Sequence, residues 1–485
     1  MMGEPNTKER VMVVIIPSPG IGHLVPMIEF ARRIANRDDQ ISVMIPIIPT
    51  PNMPMVNQYA KSRAKAYAAN NIQFIDLPLI DLPPKDHFRS MEALTSLHVE
   101  SYKPHVKQAI TDTLQAESDS NSVRVRLAAL VVDVLCTEII DVAKELEVPP
   151  YLFFTSPAGF LGFMLHLPTL DKETTTTEFG DFSSELMIPS FVNPVPKQVL
   201  PLVVLKREGD GYFWFLHHAN RYRETKGIIV NTFDELERHA LNVVSDGRGP
   251  PVYPVGPLVD VTGPDDWYSE KVGHDTIMKW LDDQPSSSVV FLCFGSMGSL
   301  TGFQVREVAI GLERAKVRFL WSLREPPKAL GLSSKYMDLE KEVNGLLERS
   351  VGMGLVCGWV PQAAVLAHDA IGGFISHCGW NSILESVWYG VPIATWPIYA
   401  EQQMNAFEMV KELELAVGIK IKHRDYDDLV TAEEVVRAVT RLMDGDDPVR
   451  RNAKEMKEKS RKAVTENGSS FTSLARLIDD IMTNI

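Results

Sequence analysis

The chain has 485 residues, 45% of them hydrophobic and 23% charged, which is more than one hydrophobic core usually supports, so we expect two large domains. Lys and Arg number 49 against 63 Asp and Glu, and the net charge of −14 argues against a protein that binds the phosphate backbone of nucleic acid. The four cysteines form no C-x-x-C pair, which argues against a disulfide framework or a zinc knuckle and favours buried thiols in a reducing compartment.

No segment approaches the ~18 consecutive apolar residues of a membrane span. The first apolar run, VMVVII at 11–16, is shorter than the core of a signal peptide and stops at Pro17. We interpret this run as a strand, and we expect a soluble, cytoplasmic protein.

Short β-branched runs then alternate with stretches of helical period along the first half of the chain. This alternation predicts parallel βαβ units with helices on both faces of a sheet. The predicted strands of this half lie at residues 11–16, 41–47, 72–77, 127–133, 150–154 and 227–231. Two low-complexity segments, 115–122 and 172–181, are interpreted as solvated loops.

A segment rich in proline and glycine, 248–267, predicts an extended connection between two domains. A second βαβ series follows it, and the stretch from Pro448 to Ile485 predicts two amphipathic helices. The strands of the second series are predicted at 288–294, 317–323, 355–359, 372–377 and 391–396, with helices that include 303–315, 380–389 and 401–412. The sequence therefore predicts an α/β protein with two facing βαβ domains.

Open α/β sheets bind ligands at the carboxyl ends of their strands, so the loops there are the candidate sites. After the first strand comes P-S-P-G-I-G-H, which ends in His23, either a solvated histidine or a base that faces the cleft. Asp133 ends the strand at 127–133, and it either caps the next segment or pairs with a cation such as a protonated His23. The loop lacks the G-x-G-x-x-G and G-x-x-x-x-G-K-[ST] patterns, so no motif supports NAD or ATP binding.

The strongest signal is the segment 359–402. Within it, GGFISH is a predicted strand and CGWNSILESVWYG a turn and helix, so the amides of Trp380, Asn381 and Ser382 would lie at a helix N-terminus that favours a phosphate. Alternatively, Asn381 or Ser382 only caps the helix and Trp380 packs in the core.

The segment 359–402 resembles the signature box of plant secondary-product UDP-glycosyltransferases. The resemblance extends over essentially the whole chain, including GIGHL, LVVD, TKGIIVNTFDELE, SVVFLCFGSMGS and the last helix. The branch that it resembles most glycosylates flavonoids, other phenolics and triterpenoids. The resemblance implies a GT-B fold of two Rossmann-like domains around a cleft. The implied division is an acceptor-binding domain at 1–250, a linker at 251–275, a donor-binding domain at 276–460 and a returning helix at 461–485.

The resemblance also assigns roles to residues. Trp359 would stack on uracil, Val360 would bond the base through its backbone, and Gln362 and Glu385 would hold the ribose. Ser296, His377, Asn381 and Ser382 would bind the diphosphate, and Glu401 and Gln402 the sugar hydroxyls. Trp380 together with Gln402 resembles the form that prefers glucose, so UDP-glucose is the expected donor. Val360, Ile383 and Glu401 replace commoner Ala, Thr and Asp, which bears on donor preference only.

The expected reaction is inverting transfer of glucose to a hydroxyl of a small hydrophobic plant metabolite, giving a β-glucoside. His23 would remove the acceptor proton and Asp133 would stabilise the imidazolium. No cofactor or metal is expected, because no D-x-D motif stands at a plausible strand end, and we expect a monomer. Candidate acceptor-pocket residues are Phe154, Phe160, Met187, Phe191 and Tyr399.

Three alternatives remain. The same chemistry could use another UDP-sugar, or the chain could bind a UDP-sugar without transferring it. An NAD-dependent oxidoreductase shares the βαβ pattern but requires the missing fingerprint.

Overall fold

The computed structural model describes residues 10–49, 54–67, 71–120, 125–173, 185–261, 271–324, 345–349, 352–419 and 429–483. Within them the chain forms two parallel β-sheets. The first has the order β3-β2-β1-β4-β5-β6-β7. Its strands are β1 Arg10–Ile16, β2 Ile41–Ile47, β3 Ile72–Asp76, β4 Val125–Asp133, β5 Pro150–Phe154, β6 Gly227–Val230 and β7 Val252–Pro254.

The second sheet has the order β10-β9-β8-β11-β12-β13. Its strands are β8 Val289–Cys293, β9 Arg318–Ser322, β10 Gly354–Cys357, β11 Ile371–Ser376, β12 Ile393–Thr395 and β13 Ala416–Gly418. The predicted architecture of two Rossmann-like domains is thereby confirmed.

Helices connect the strands of both sheets. In the first half they are α1 Ile21–Arg37, α2 Pro54–Ala66, α3 Met91–Ser101, α4 Lys103–Ser120, α5 Ile140–Glu145, α6 Ala158–Glu173, α7 Leu202–Leu205, α8 Asp210–Arg221 and α9 Asp234–Val244. In the second they are α10 Lys271–Asp282, α11 Gly302–Ala315, α12 Gln362–Ala367, α13 Trp380–Tyr389, α14 Gln402–Phe407, α15 Ala432–Met443, α16 Pro448–Ala463 and α17 Ser469–Met482. A π-helical turn, Glu408–Glu412, continues α14.

The central strands are buried on both faces, and their sequences are therefore continuous apolar runs. Successive side chains of β1 point to opposite faces: Val14 and Ile16 belong to one core cluster, and Val13 and Ile15 belong to the other. The second sheet is likewise covered on both faces by apolar clusters.

The strand order of each sheet reverses at one place, and ligand sites of open α/β sheets lie at that place. In the first sheet β1 lies between β2 and β4, with Ile16 opposite Val132. In the second sheet β8 lies between β9 and β11, with Cys293 opposite Ser376. The loops after β1, β4, β8 and β11 therefore meet in pairs.

The final helix, α17, packs against the first sheet although it follows the second in the chain. Leu474, Leu477, Ile478 and Ile481 share a core cluster with Val11 of β1. The phenol of Tyr151 on β5 donates a hydrogen bond to Asp480 at 2.6 Å. Burial of each of these apolar side chains contributes about 1.5–3 kcal/mol to the free energy of unfolding, so the packing of α17 against the first sheet stabilises the fold.

Several predictions of local structure were wrong. The segment 248–267 contains a strand, Val252–Pro254, that completes the first sheet. Helix α4 continues to Ser120, so residues 115–120 are helical rather than a loop. Residues 121–122, 174–181 and 262–267 of the predicted loops and connection lie outside the described residues. Strand β13, only Ala416–Gly418, was not predicted.

Candidate active site

A cavity of about 360 Å³ lies between the carboxyl ends of the two sheets. The first turn of α1, which follows β1, contributes His23 to its lining, and the loop after β5 contributes Thr155 and Ser156. Segments after β8 to β12 form the opposite wall. The predicted residues that line this cavity are His23, Ser296, Trp359, Val360, Gln362, His377, Trp380, Asn381, Ser382, Glu385, Tyr399, Glu401 and Gln402.

His23 and Asp133 meet at the reversal point of the first sheet. His23 Nδ1 lies 3.0 Å from Asp133 Oδ2. The carboxylate is fully buried, whereas the His23 side chain is 30% exposed. Burial lowers the pKa of the imidazole, but the charge and hydrogen bond of Asp133 outweigh burial, Glu401 adds to their effect, and the pKa is raised overall. Because Nδ1 faces the carboxylate, Nε2 is the ring nitrogen that can act as a base.

Two hydroxyl groups complete the surroundings of this pair. Ser18 donates a hydrogen bond to Asp133 Oδ1. Thr155 Oγ1 lies 3.3 Å from His23 Nδ1. The backbone N–H of Leu135 also approaches Asp133 Oδ1, at 3.4 Å. A buried carboxylate needs such donors, because an unpaired buried charge is costly.

Across the cavity, His377 follows β11 and packs against two glycines. A Cβ atom at Gly295 would lie 2.3 Å from His377 Nε2, and one at Gly379 would lie 2.5 Å away, so any side chain there would displace the ring. Burial, together with the charge of Arg324, lowers the pKa of His377 to about 4, which keeps the ring neutral. Its Nδ1 atom is buried without a hydrogen-bond partner in the described structure.

Helix α13 begins beside His377. Its first backbone bond joins Ile383 N–H to Gly379 O, so the preceding amides have no acceptor within the helix. The Trp380 indole donates to Asn231 O at 2.7 Å, and Asn381 Nδ2 donates to Gly22 O at 2.7 Å. Both side chains thus reach across to the first half of the chain. Asn381 Oδ1 is buried without a partner among the described residues.

A polar cluster of Gln362, Ser382 and Glu385 also lines the cavity. Gln362 Nε2 donates to Ser382 Oγ at 2.8 Å and to Glu385 Oε2 at 2.7 Å. Burial raises the pKa of Glu385 to about 7, the Gln362 hydrogen bond opposes this rise, and the charge of Asp260 adds to it. Trp359 and Val360 also line the cavity, and Val360 is buried.

The segment after β12 supplies Glu401 and Gln402. Glu401 Oε1 accepts a hydrogen bond of 3.0 Å from Ser156 of the first half. Gln402 Oε1 accepts bonds from the backbone N–H groups of Ile398 and Tyr399, at 2.9 and 3.0 Å. The Gln402 oxygen is therefore used to fix its own loop, and its amide nitrogen is the group suited to a ligand.

The five predicted acceptor residues are placed differently from one another. Tyr399 lines the cavity. Phe154, Phe160 and Phe191 belong to the core of the first half, and Phe154 and Phe160 pack ring to ring at 6.0 Å. Met187 is 70% exposed. None of these last four is among the described residues that line this cavity.

Sequence reasoning missed six polar residues of the site. Thr155, Ser156 and Arg324 lie within two residues of a strand end, so the rule that points to strand ends could have identified them. Ser18 precedes the glycines of the first loop. Tyr59 donates to Asp260 Oδ2 at 3.0 Å, and no local pattern relates residues so distant in the chain.

Two features are absent from the part of the chain that the structure describes. It contains no group of three or more His, Cys, Asp or Glu side chains placed to hold a metal ion. None of its helices has the length and apolarity that crossing a bilayer requires.

Known proteins are similar to this chain in sequence and fold. The sequence model of the family described as UDP-glucoronosyl and UDP-glucosyl transferase matches residues 269–446. UDP-glycosyltransferase 43 of Pueraria montana var. lobata is 49% identical over 475 residues, covering 97% of this chain and 99% of the relative. UDP-glucose flavonoid 3-O-glucosyltransferase 6 of Fragaria ananassa is 46% identical and covers 98% of this chain and 100% of the relative.

The fold agrees with these relatives. The crystal structure of Medicago truncatula UGT71G1 complexed with UDP-glucose superposes with a TM-score of 0.85 at 43% identity, covering 97% of this chain and 98% of that one. High identity over nearly the full length of each chain, together with the two-domain fold, confirms the family resemblance. The chain belongs to the UDP-glycosyltransferase family.

Proposed function

We propose that this enzyme transfers glucose from UDP-glucose to a hydroxyl of a small hydrophobic plant metabolite, with inversion at the anomeric carbon. The single observation that carries the proposal is the geometry of the cavity. A histidine held by a carboxylate lies on one wall, and the residues predicted to bind the nucleotide sugar line the other.

The donor would lie along the second wall. We assign uracil to Trp359 and the backbone of Val360, and the ribose diol to Gln362 and Glu385, which already lie 2.7 Å apart. The diphosphate would meet the free amides at the start of α13 and the buried, unpartnered Nδ1 of His377. Ser296, Asn381 and Ser382 complete the diphosphate site. These donors fit an anion, because a helix N-terminus favours negative charge.

The sugar would lie between the two walls. Glu401 and the amide nitrogen of Gln402 are suited to its hydroxyls, and the hydrogen bond from Ser156 orients Glu401. Trp380 together with Gln402 supports glucose as the sugar. The relative named as a UDP-glucose flavonoid 3-O-glucosyltransferase and the structure solved with UDP-glucose support the same donor.

The chemistry then needs one proton transfer and one displacement. His23 Nε2 accepts the proton of the acceptor hydroxyl while the oxygen attacks C1 of glucose, and the bond from C1 to the UDP oxygen breaks. Asp133 stabilises the imidazolium that forms. The charge that develops on UDP is met by fixed donors, which contribute several kcal/mol in such sites. Attack from the face opposite UDP converts the α-linked donor into a β-glucoside.

We propose a flavonoid, another phenolic or a triterpenoid alcohol as the acceptor, bound beside His23 and Tyr399. The name of the Fragaria relative supports the flavonoid class. We also propose that the enzyme works as a cytoplasmic monomer without a metal. The four cysteines are all free thiols, which supports a reducing compartment. Protein donors face the diphosphate site, which supports a reaction without a metal.

The test is mass spectrometry of products after incubation with UDP-glucose and a panel of these three acceptor classes. We expect one added hexose, with or without a chelator, and a β-configuration by NMR of the purified product. Parallel reactions with UDP-galactose, UDP-xylose and UDP-glucuronate test the donor. Binding of UDP-glucose without any product from the panel would favour a protein that binds the nucleotide sugar without transferring it.

A further inference from the structure

Ser18 contacts the carboxylate that holds His23, and the proposed mechanism gives it no role. It lies in the loop between β1 and α1 and is 2% exposed. Its hydroxyl donates to Asp133 Oδ1, while His23 Nδ1 lies 3.0 Å from both carboxylate oxygens. Ser18 therefore binds Asp133 from the loop that leads into α1, and the first turn of α1 carries His23.

The contact matters because Asp133 is fully buried. Among the described residues, the hydroxyl of Ser18 and the weaker backbone N–H of Leu135 are the protein donors that reach Oδ1 besides the imidazole. A carboxylate that accepts fewer hydrogen bonds has a higher proton affinity. Without Ser18, the pair of Asp133 and His23 would hold a proton to higher pH.

We propose that Ser18 is a positioning residue that holds the carboxylate of Asp133 turned toward His23. This inference rests on the roles proposed above for His23 and Asp133. The Ser18 hydroxyl donates a hydrogen bond that lowers the proton affinity of the carboxylate, so the proton taken from the acceptor stays on the imidazole. The same bond fixes the first loop to the end of β4, and with it the distance between His23 and Asp133.

The other groups that face the pair come from four elements. The Cys136 thiol, after β4, lies 3.4 Å from Ser18 Oγ, and burial raises its pKa, so it stays protonated. Thr155 follows β5 and contacts His23. Tyr222, after α8, has its pKa raised by burial and then by the Asp133 charge, so it stays neutral. Glu401, on the opposite wall, adds negative charge near His23.

The experiment compares Ser18→Ala, Ser18→Thr and Cys136→Ala with the wild type. Initial rates are measured against pH at saturating and limiting UDP-glucose, and UDP binding is measured by calorimetry. Cys136→Ala is the matched control, because it removes the other neighbour of the Ser18 hydroxyl and leaves the bond to Asp133 intact. His23→Ala is assayed in parallel.

For Ser18→Ala we expect kcat to fall about tenfold and the acid limb of kcat/KM to move up by about half a pH unit, with UDP binding unchanged. Ser18→Thr, if thermal melting shows that it folds, should restore both, and Cys136→Ala should change neither. An unmoved acid limb in Ser18→Ala would overturn the proposal, as would a loss confined to UDP binding or melting temperature. Activity in His23→Ala would instead overturn the role of the pair itself.

Discussion

Replacing Asp133 with Asn removes the charge that faces His23 while nearly keeping the shape of the side chain. At 3.0 Å, and with an effective dielectric constant of ~20, two unit charges attract by about 5 kcal/mol. Since 30% of the His23 side chain is exposed, solvent screens part of this attraction, and we expect the imidazolium to lose about half of it, ~3 kcal/mol.

That loss predicts two changes with separate readouts. A loss of ~3 kcal/mol in the stabilisation of the imidazolium lowers kcat by about 100-fold. The pKa of His23 is raised by Asp133, so His23 becomes a base only above that raised value. Without the charge, the acid limb of kcat/KM should move down by about two pH units. Ser18→Ala should move the same limb in the opposite direction.

The assay measures initial rates of glucoside formation in wild type and Asp133→Asn over a pH series, at saturating UDP-glucose and a series of acceptor concentrations. Calorimetric binding of UDP serves as the control, since Asp133 does not line the nucleotide end of the cavity. A variant with kcat within threefold of wild type and an unmoved acid limb would refute the assignment of Asp133.

Three further predictions concern the nucleotide end and the fold. The pKa of Glu385 is raised to about 7 in the folded state, so its contribution to stability is present below its ordinary pKa of 4.5 and is lost as pH rises through about 7. The melting temperature of Glu385→Gln should therefore exceed that of wild type above pH 7 but not below pH 4.5. Equal melting temperatures of the two proteins at both pH values would contradict this prediction. Gly295→Ala places a Cβ atom 2.3 Å from His377 Nε2, at a residue with φ of +76° that disfavours a side chain. UDP affinity measured by calorimetry should therefore fall at least tenfold. Gly358→Ala is the control, because a Cβ atom there would meet no atom within 4 Å. Leu477→Ala removes a fully buried side chain of α17 and should cost about 2–5 kcal/mol of the free energy of unfolding in denaturant titrations, whereas the exposed Asp479→Ala should cost little.

Much of the fold could be predicted because central parallel strands are buried on both faces and stand out as apolar runs. VMVVII and LAALVVD are examples, and both occupy central positions in the first sheet. The edge strands β7 and β13 were missed because each has only three residues, and prolines surround the first of them. Helix α4 extends through polar residues because its exposed face needs no apolar side chains.

The candidate site could be predicted where strand ends carry polar residues. His23, Asp133 and His377 each follow or end an apolar strand, and the topology brings the first two together. The acceptor residues could not be assigned in this way, because an aromatic residue of the cleft and one of the core have the same sequence pattern. Phe154 ends a strand beside the site, yet its ring is 1% exposed in the core. Tyr59 and Asp260 meet only in the folded chain.

The central claim is that His23 is the base of a glucosyl transfer whose donor binds independently of it. The most direct measurement compares His23→Ala with wild type for both glucoside formation and UDP affinity, on the acceptor that mass spectrometry identifies. We expect glucoside formation to fall to the background rate while the UDP dissociation constant stays within about twofold of wild type. Near-normal glucoside formation by His23→Ala would contradict the account.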